Sequence, residues 1–291
     1  MNGAQAATLP DGRRLHLNHG PIDLIVEAFG DVSEVAAAYA QAKDRFATVL
    51  EELVAELVEL RRPTNVQPRV FRGPTARRME AASVPFADRF VTPMAAVAGA
   101  VADEMLAAMV KGRRLARAYV NDGGDIAIHL APGTEMKAAI AGTGHGFADR
   151  LSIDASDPVR GIATSGWRGR SHSLGIADAV TVLARTAAAA DVAATLIANA
   201  VDLPGHPAIE RRPASQLAPD SDLGDRPVTI SVGPLSPAET DDALRSGLRV
   251  AEEFISRGLI VSAALFLNGQ SRVAGTLALK ENTSIEEPAY G

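Results

Sequence analysis

The chain has 291 residues, of which 47% are hydrophobic and 22% charged, which suffices for one large or two modest globular domains. Its formal net charge of −6 argues against a general nucleic-acid binder, and the absence of cysteine excludes disulfides, thiolate metal sites and a cysteine nucleophile. The N-terminus lacks an apolar signal segment, and no run of about eighteen apolar residues is free of charges. We therefore expect a cytoplasmic protein that binds neither nucleic acid nor membranes.

The first elements are two short strands at residues 14–17 and 22–27, followed by the clearest helix at residues 31–60. Asp31 with Glu34 three residues later is typical of a capping box, and the apolar residues that follow recur at helical spacing. The length of this helix predicts that it lies across a sheet or along an interface of a homo-oligomer.

Residues 64–92 are interrupted by prolines, and the pattern predicts a short helix at residues 75–82 within an irregular segment. Four arginines in this segment either contact a phosphate or belong to a solvated loop, and we favour the loop: Arg69, Arg72, Arg77 and Arg78. Pro93 suits the first position of a helix that ends before Gly112.

Strands are predicted at residues 116–120 and 126–130. They are joined by a turn of five residues: Asn121, Asp122, Gly123, Gly124 and Asp125. Glycines accept positive φ and Asx side chains bond the backbone of turns, so the segment indicates a hairpin. Contact of the same residues with a ligand remains open.

Further strands are predicted at residues 136–141 and 148–153, with G-T-G-H-G-F at residues 142–147 between them. These glycines resemble a dinucleotide fingerprint, but the pattern predicts no long helix directly after them. We interpret the segment as a hairpin loop.

Residues 161–202 predict a strand, a polar loop at residues 164–175, a buried strand at residues 177–184 and an Ala-rich helix at residues 186–199. Asp191, Thr195 and Asn199 are four residues apart on that helix and form one stripe.

The stripe has two interpretations. Carboxylate and hydroxyl oxygens are the hard ligands that Mg²⁺ prefers, usually alongside waters and substrate phosphates. Alternatively, Asp191 stabilises the helix dipole and Thr195 bonds a backbone carbonyl. Spacing alone favours the second interpretation, because this spacing is common.

The C-terminal third begins with a Pro- and charge-rich stretch that predicts a long loop. Hairpins and helices in alternation favour an α+β fold with a mixed or antiparallel sheet, in a single domain of one or two lobes over residues 1–291. The remaining segments are the loop at residues 203–226, a strand at 228–232, a capped helix at 236–257, hairpin strands at 259–267 and 272–279, and a polar tail at 281–291.

A family resemblance rests on three of these segments. The sequence A-D-V-A-A-T-L at residues 190–196 resembles the A-D-x-x-x-T signature of the ApbE family, the FAD:protein FMN transferases. A-T-S-G at residues 163–166, with Arg170 and His172, resembles the S-T-S-G and R-H segments of that family, and residues 121–126 resemble its double-glycine motif. The chain is most similar to an uncharacterised cytoplasmic branch of the ApbE-like family.

The resemblance implies an ApbE-like α+β fold, a flavin (FAD or FMN) or related phosphorylated ligand, and Mg²⁺. It implies that Asp191 and Thr195 bind the metal, completed by a backbone carbonyl near Ala96, and that His172 is the candidate for proton transfer. The implied cofactor-binding residues are Asn121, Asp122, Gly123, Gly124, Asp125, Thr164, Ser165, Gly166 and Arg170.

Three features depart from the family pattern. Gly99 stands where the family has a lysine, the histidine segment after His172 is shortened, and the lipoprotein cysteine is missing. Two functions therefore stay open: FMN transfer from FAD to a protein substrate, or a non-catalytic protein that binds a flavin- or pterin-type cofactor. His172 supports its loop in the second case. A Ser165–His172 hydrolase is disfavoured, because no nucleophile elbow is present, and Trp167 either stacks on a ring or belongs to the core.

Overall fold

The computed structural model describes residues 3–139, 150–276 and 279–280. Its strands are, in chain order, β1 (Gln5–Thr8), β2 (Leu15–His19), β3 (Ile22–Gly30), β4 (Leu115–Asp122), β5 (Asp125–Leu130), β6 (Glu135–Ala139), β7 (Arg150–Asp154), β8 (Gly161–Ser165), β9 (Ala179–Ala184), β10 (Ile209–Pro213), β11 (Pro227–Val232), β12 (Ser262–Leu267), β13 (Gln270–Gly275) and β14 (Leu279–Lys280). Its helices are α1 (Val32–Ala55), α2 (Leu57–Leu60), α3 (Pro74–Ser83), α4 (Val97–Val110), α5 (Ala187–Ala200), α6 (Ala214–Leu217) and α7 (Pro237–Ser256).

A large antiparallel sheet organises the fold. Its nine strands lie in the order β1-β2-β3-β4-β5-β8-β9-β12-β13, beside a two-stranded β10-β11 sheet and a three-stranded β14-β7-β6 sheet. Every strand pair in the described residues is antiparallel. The predicted α+β class with packed helices is thereby confirmed. Of the two sheet types predicted, mixed or antiparallel, the structure has the antiparallel one.

The two faces of the large sheet carry separate cores. Helices α1, α4, α5 and α7 cover one face with the main core. The other face carries a smaller apolar cluster that includes Ile128, Ile153 and Ile162. This cluster packs the large sheet against the three-stranded β14-β7-β6 sheet, here called the small sheet. The stretch Pro93–Val110 is long and apolar enough to cross a membrane by length and composition alone, but here α4 packs between α1 and α5.

The first long helix differs from its prediction. It breaks at Glu56, whose backbone leaves helical geometry (φ −116°, ψ 9°), and α2 then continues as a single turn. The carboxylate of Glu56 accepts from the amides of Arg72 and Gly73 at 2.7 and 2.8 Å, which attaches the following loop to the break. The capping box at Asp31 is wrong, because the Asp31 side chain makes no capping hydrogen bond.

The prediction of a continuous loop at residues 203–226 is also wrong. This stretch contains β10 and α6, and β10 pairs with β11 across a register shift between Glu210 and Arg211. The strand β10 forms because it pairs with β11, which lies further along the chain. The sequence of β10 has no alternation of apolar and polar residues that would predict a strand. The predicted hairpin loop at residues 142–147 and the tail at residues 281–291 lie outside the described residues.

Two of the four arginines of residues 69–78 form ion pairs within the fold. Arg69 pairs with Glu80 at 2.8 Å and Arg78 pairs with Glu104 at 2.9 Å. Their charges are thereby compensated within the fold. The solvated-loop interpretation is wrong for these two residues, because Arg78 lies on α3 and Arg69 is mostly buried against Glu80.

Candidate functional site

The turn between β4 and β5 is a two-residue hairpin. Asp122 and Asp125 are paired in register, and Gly123 (φ 64°) and Gly124 (φ 117°) lie between them in the conformation that favours glycine. The Gly124 amide donates to Asn121 Oδ1 at 2.8 Å, which is the Asx contact expected of such a turn.

Both hairpin aspartates lie on the helix-covered face of the sheet. Side chains alternate along a strand, and Asn121 and Ile126, their direct neighbours, line a cavity on the opposite face. The Thr164 amide at the end of β8 donates to Asp125 Oδ1 at 3.2 Å, so the hairpin end is bonded to the start of the β8–β9 loop.

Asp191 of α5 completes a cluster of three carboxyl groups, here called the aspartate cluster: Asp122, Asp125 and Asp191. Burial raises the pKa of Asp122 to about 7, opposed by the positive charge of Arg170. Burial and then the charge of Asp122 raise the pKa of Asp125 to about 7. Burial of its carboxyl group, and next the charge of Asp125, hold the pKa of Asp191 well above its usual range. Mutual repulsion in a poorly hydrated space therefore favours a bound proton or a bound cation here.

Asp191 also forms part of a reciprocal helix contact. Its Oδ2 accepts from the Gly99 amide at 3.0 Å, in the first turn of α4. In the opposite direction, Asp103 of α4 accepts from the amides of Ala187 and Ala188 at 3.1 and 2.9 Å, in the first turn of α5. An aspartate of each helix thus accepts hydrogen bonds from free amides in the first turn of the other helix and interacts favourably with the dipole of that helix. Sequence reasoning missed this role of Asp103.

Gly99 makes this helix contact possible. A Cβ atom at Gly99 would lie 2.3 Å from the carbonyl oxygen of Ala187. The departure from the family lysine at this position therefore has a steric reason, since the backbone of α5 occupies the space of any side chain.

The other proposed metal ligands belong to the same two helices. Ala96 is buried and is the N-cap residue of α4, and Thr195 lies one turn beyond Asp191 on α5. Asn199 is engaged elsewhere, because its Oδ1 accepts from the Leu174 amide at 2.9 Å and holds the β8–β9 loop. Within residues 3–139, 150–276 and 279–280, no three His, Cys, Asp or Glu side chains form a ready-made metal site.

The β8–β9 loop begins with a tight contact. A Cβ atom at Gly166 would lie 2.5 Å from the carbonyl oxygen of Asp178, and the Trp167 amide donates to Ala177 O at 3.0 Å. The Arg168 guanidinium covers the Trp167 ring at 4.5 Å and donates to Asp178 Oδ1 at 2.9 Å. One face of the indole is thus occupied by this guanidinium, which leaves less of the ring for stacking on a ligand.

The middle of this loop is exposed. Arg170 and His172 are both exposed, and Arg170 lies near enough to act on the pKa of Asp122. The hydroxyl groups of Thr164 and Thr181 form a hydrogen bond at 2.9 Å. Because side chains alternate along a strand, the side chain of Ser165 points to the opposite face of the sheet, which α5 covers. The structure therefore brings the hairpin, Arg170 and Asp191 together, and places His172 on the outer part of the loop.

The sheet, the reciprocal pair of helices and the aspartate cluster define an α+β protein with one acidic site at a sheet end. The chain matches the family model described as AbpE bacteria over residues 6–273, and it belongs to that family. The resemblance to an ApbE-like branch is confirmed.

Curated relatives are UPF0280 proteins of archaea. The chain is 37% identical over 124 residues to one from Methanopyrus kandleri, covering 43% of this chain and 48% of the relative. It is 40% identical over 129 residues to one from Methanothrix thermoacetophila, covering 44% and 52%. The matched part thus spans about half the length of these relatives.

Two solved structures are similar over most of the chain. The apo flavinyl transferase ApbE of Pseudomonas stutzeri has a TM-score of 0.44 at 13% identity, covering 94% of this chain and 93% of its own. The flavin transferase ApbE of Vibrio cholerae, solved as a mutant, has a TM-score of 0.48 at 10% identity, covering 94% and 97%.

The aspartate cluster predicts a pH-dependent stability. An acid whose folded pKa is raised stabilises the fold below its unfolded pKa and loses that contribution as the pH rises through the folded pKa. With folded values of about 7 for Asp122 and Asp125, the unfolding midpoint should fall between about pH 4 and pH 7. Asp122→Asn should flatten this profile in scanning calorimetry, whereas Asp154→Asn, at an exposed acid of lowered pKa, should not. Equal slopes for wild type and Asp122→Asn would contradict the prediction.

Proposed function

We propose that this protein binds a phosphorylated cofactor of the flavin class together with Mg²⁺ at the aspartate cluster, and that its candidate reaction is FMN transfer from FAD. The observation that carries the proposal is the convergence of Asp122, Asp125 and Asp191 from two distant elements, with Arg170 at the rim. Asp122 is buried and Asp125 and Asp191 are half-buried, and such clustering of carboxyl groups is costly unless a proton or a cation compensates it.

The residues fit a hard cation. The amides of Gly99 and Ala98 bond the Asp191 carboxylate, and since a carboxylate has about four acceptor sites, capacity remains for a metal. Asp191 and Thr195 would hold Mg²⁺, with a backbone carbonyl at Ala96 and waters or phosphate oxygens completing the set. When bound, Mg²⁺ would neutralise the carboxylates and the ligand phosphates.

The protein groups around the cluster suit a phosphorylated ligand. The exposed Arg170 guanidinium can pair with phosphate oxygens through two parallel hydrogen bonds. Gly123 and Gly124 leave open space at the hairpin, since a Cβ atom at either would meet nothing within 4 Å, and their positive φ favours glycine. The ligand phosphates would lie between the hairpin and the loop.

The second candidate function is binding without turnover of a flavin- or pterin-type cofactor. It is favoured by Gly99, because the backbone of α5 lies where a lysine side chain would begin. Incubation with FAD, Mg²⁺ and a flavinylation-target peptide separates the two. Flavinylated peptide supports transfer to a protein substrate, and tight flavin retention without product supports the binder. If neither flavin binding nor product is found with Mg²⁺ present, flavin transfer and flavin binding both fail, and only a pterin-type ligand remains for the second candidate.

We expect His172→Asn to change flavin affinity by less than about threefold, because His172 lies on the exposed part of the loop. Arg170→Gln in the same loop should weaken binding about tenfold, the loss of one charge-assisted phosphate contact. Both are measured by titration of the flavin absorbance. A drop in turnover of about 100-fold in His172→Asn, with binding retained, would instead assign proton transfer to this histidine.

A further inference from the structure

A cavity of about 740 Å³ lies on the other face of the large sheet, between strands β3, β4 and β5 and the small strand β6. Its volume is within the range of about 300–1,000 Å³ that small-molecule sites occupy. Strands β3, β4 and β5 contribute Glu27, Phe29, Arg117, Tyr119, Ile126 and Ile128 to its lining.

The cavity and the aspartate cluster are separate. Val26 and Ala28 belong to the main core, so Glu27 and Phe29 between them face away from the helices. Asn121 likewise lines the cavity, whereas Asp122 points to the opposite face. The sheet itself therefore separates the two sites.

Glu27 is the chemical centre of the cavity. The residue is only 7% exposed, and its carboxylate accepts from the Tyr119 hydroxyl at 3.2 Å and faces Arg13 Nε at 3.7 Å. Burial, together with the charge of Glu27, raises the pKa of Tyr119 to about 12, so the phenol stays protonated and donates. Since a carboxylate has about four acceptor sites, two remain for a ligand.

The other walls combine apolar side chains with a cation stacked on an aromatic ring. Phe29 is covered by the Arg117 guanidinium at 4.4 Å, and Arg117 also donates to Glu135 O at 3.1 Å, which holds this wall in place. Ile126 and Ile128 supply an apolar floor on β5. Polar side chains also line the cavity, among them Asn121, Glu135 and Lys137. Glu27 is the buried carboxylate of this lining, so it favours a ligand that presents adjacent hydrogen-bond donors on one edge.

We propose that this cavity binds a heterocycle with a 2-amino-4-oxopyrimidine edge, as found in pterins and guanine. This edge places two N–H donors side by side and matches the two free acceptor sites of Glu27. The pyrimidine edge of a flavin presents a carbonyl on each side of its single N–H, and these oxygens would be repelled by the carboxylate. The cavity is thus a second small-molecule site, beyond the phosphate-binding site proposed above and independent of it.

The test is fluorescence titration of the full chain with pterin, with guanosine and riboflavin as competing probes, in the absence of Mg²⁺. We expect saturable pterin binding that riboflavin does not displace. Guanosine should displace pterin if the cavity recognises only the 2-amino-4-oxopyrimidine edge that the two compounds share. Glu27→Gln should weaken pterin binding at least about tenfold, because the amide turns an N–H toward the ligand donors. The matched control Glu135→Gln, at the exposed rim of the same cavity, should bind as the wild type does.

Two further variants keep the result decisive. Ile126→Trp fills the cavity from its half-buried floor, leaves Glu27 in place and should abolish binding. Asp191→Asn should bind pterin normally, so failure of the aspartate-cluster function leaves this result unaffected. The proposal is overturned if the wild type does not bind pterin, if Glu27→Gln binds equally well, or if riboflavin binds more tightly than pterin.

Discussion

Replacing Asp191 with asparagine is expected to abolish the stabilisation of this protein by Mg²⁺. The amide preserves the side-chain shape and one acceptor for the Gly99 amide, but removes the charge that a hard cation requires. For the wild type, Mg²⁺ at 100 times its dissociation constant should add about 2.7 kcal/mol, which is about 5–10 °C in unfolding midpoint. The midpoint is measured with Mg²⁺ and with chelator.

The matched control is Asp103→Asn. Asp103 makes the reciprocal contact, with the amides of Ala187 and Ala188, and its pKa is likewise raised by burial. The same chemical change at this position should leave the Mg²⁺ response intact. An Asp191→Asn protein that still gains several degrees from Mg²⁺ would refute the metal assignment and leave Asp191 as a helix cap alone.

Asp191→Ala separates the two roles of this residue. Alanine removes both the charge and the acceptor, so the Gly99 amide loses its partner. In chelator, Asp191→Ala should be less stable than Asp191→Asn by about 1 kcal/mol, the usual value of a helix cap. Equal stabilities would show that the capping contact contributes little.

Substitution of Gly99 by alanine is expected to destabilise the fold by about 3 kcal/mol or more, as overpacking of a rigid contact does. The added Cβ would lie 2.3 Å from Ala187 O and 2.5 Å from its carbonyl carbon, and backbone atoms cannot rotate away. The helices would separate, which also lengthens the bond from the Gly99 amide to Asp191. Chemical denaturation measures the free energy of unfolding.

Gly247→Ala is the matched control, because Gly247 is also a buried helical glycine. A Cβ atom there would meet side-chain atoms of Val201 at 2.3 Å and Leu265 at 2.8 Å, which can change rotamer. Gly247→Ala should therefore lower the free energy of unfolding by less than Gly99→Ala does. The higher helix propensity of alanine offsets part of that loss, by up to about 1 kcal/mol. If Gly99→Ala is as stable as Gly247→Ala, the close helix contact is not the reason for glycine at this position.

Local patterns were sufficient for much of the fold. Asn121 and the two glycines that follow specify a hairpin through turn chemistry alone, and the structure has that hairpin. Ser236 and Glu239 form the predicted capping box of α7. These features depend on neighbours within a few residues, so the sequence by itself determined them, along with the α+β class and the helix that carries Asp191.

Contacts between distant residues were decided only by the tertiary structure. The reciprocal bonds of Asp191 with Gly99 and of Asp103 with Ala187 join residues more than 80 positions apart. At the helix break, Glu56 likewise accepts from the amides of the following loop. Spacing along the chain carries no information about which buried donor a carboxylate will meet.

The cavity around Glu27 belongs to the same class of result. Glu27 and Tyr119 are 92 positions apart, and each by itself occupies an ordinary outward position on its strand. Strand pairing brings the two side chains together, and the small sheet then covers them. Sequence patterns identify which side chains share a face of one strand, whereas the packing of sheets determines which of those faces encloses a site.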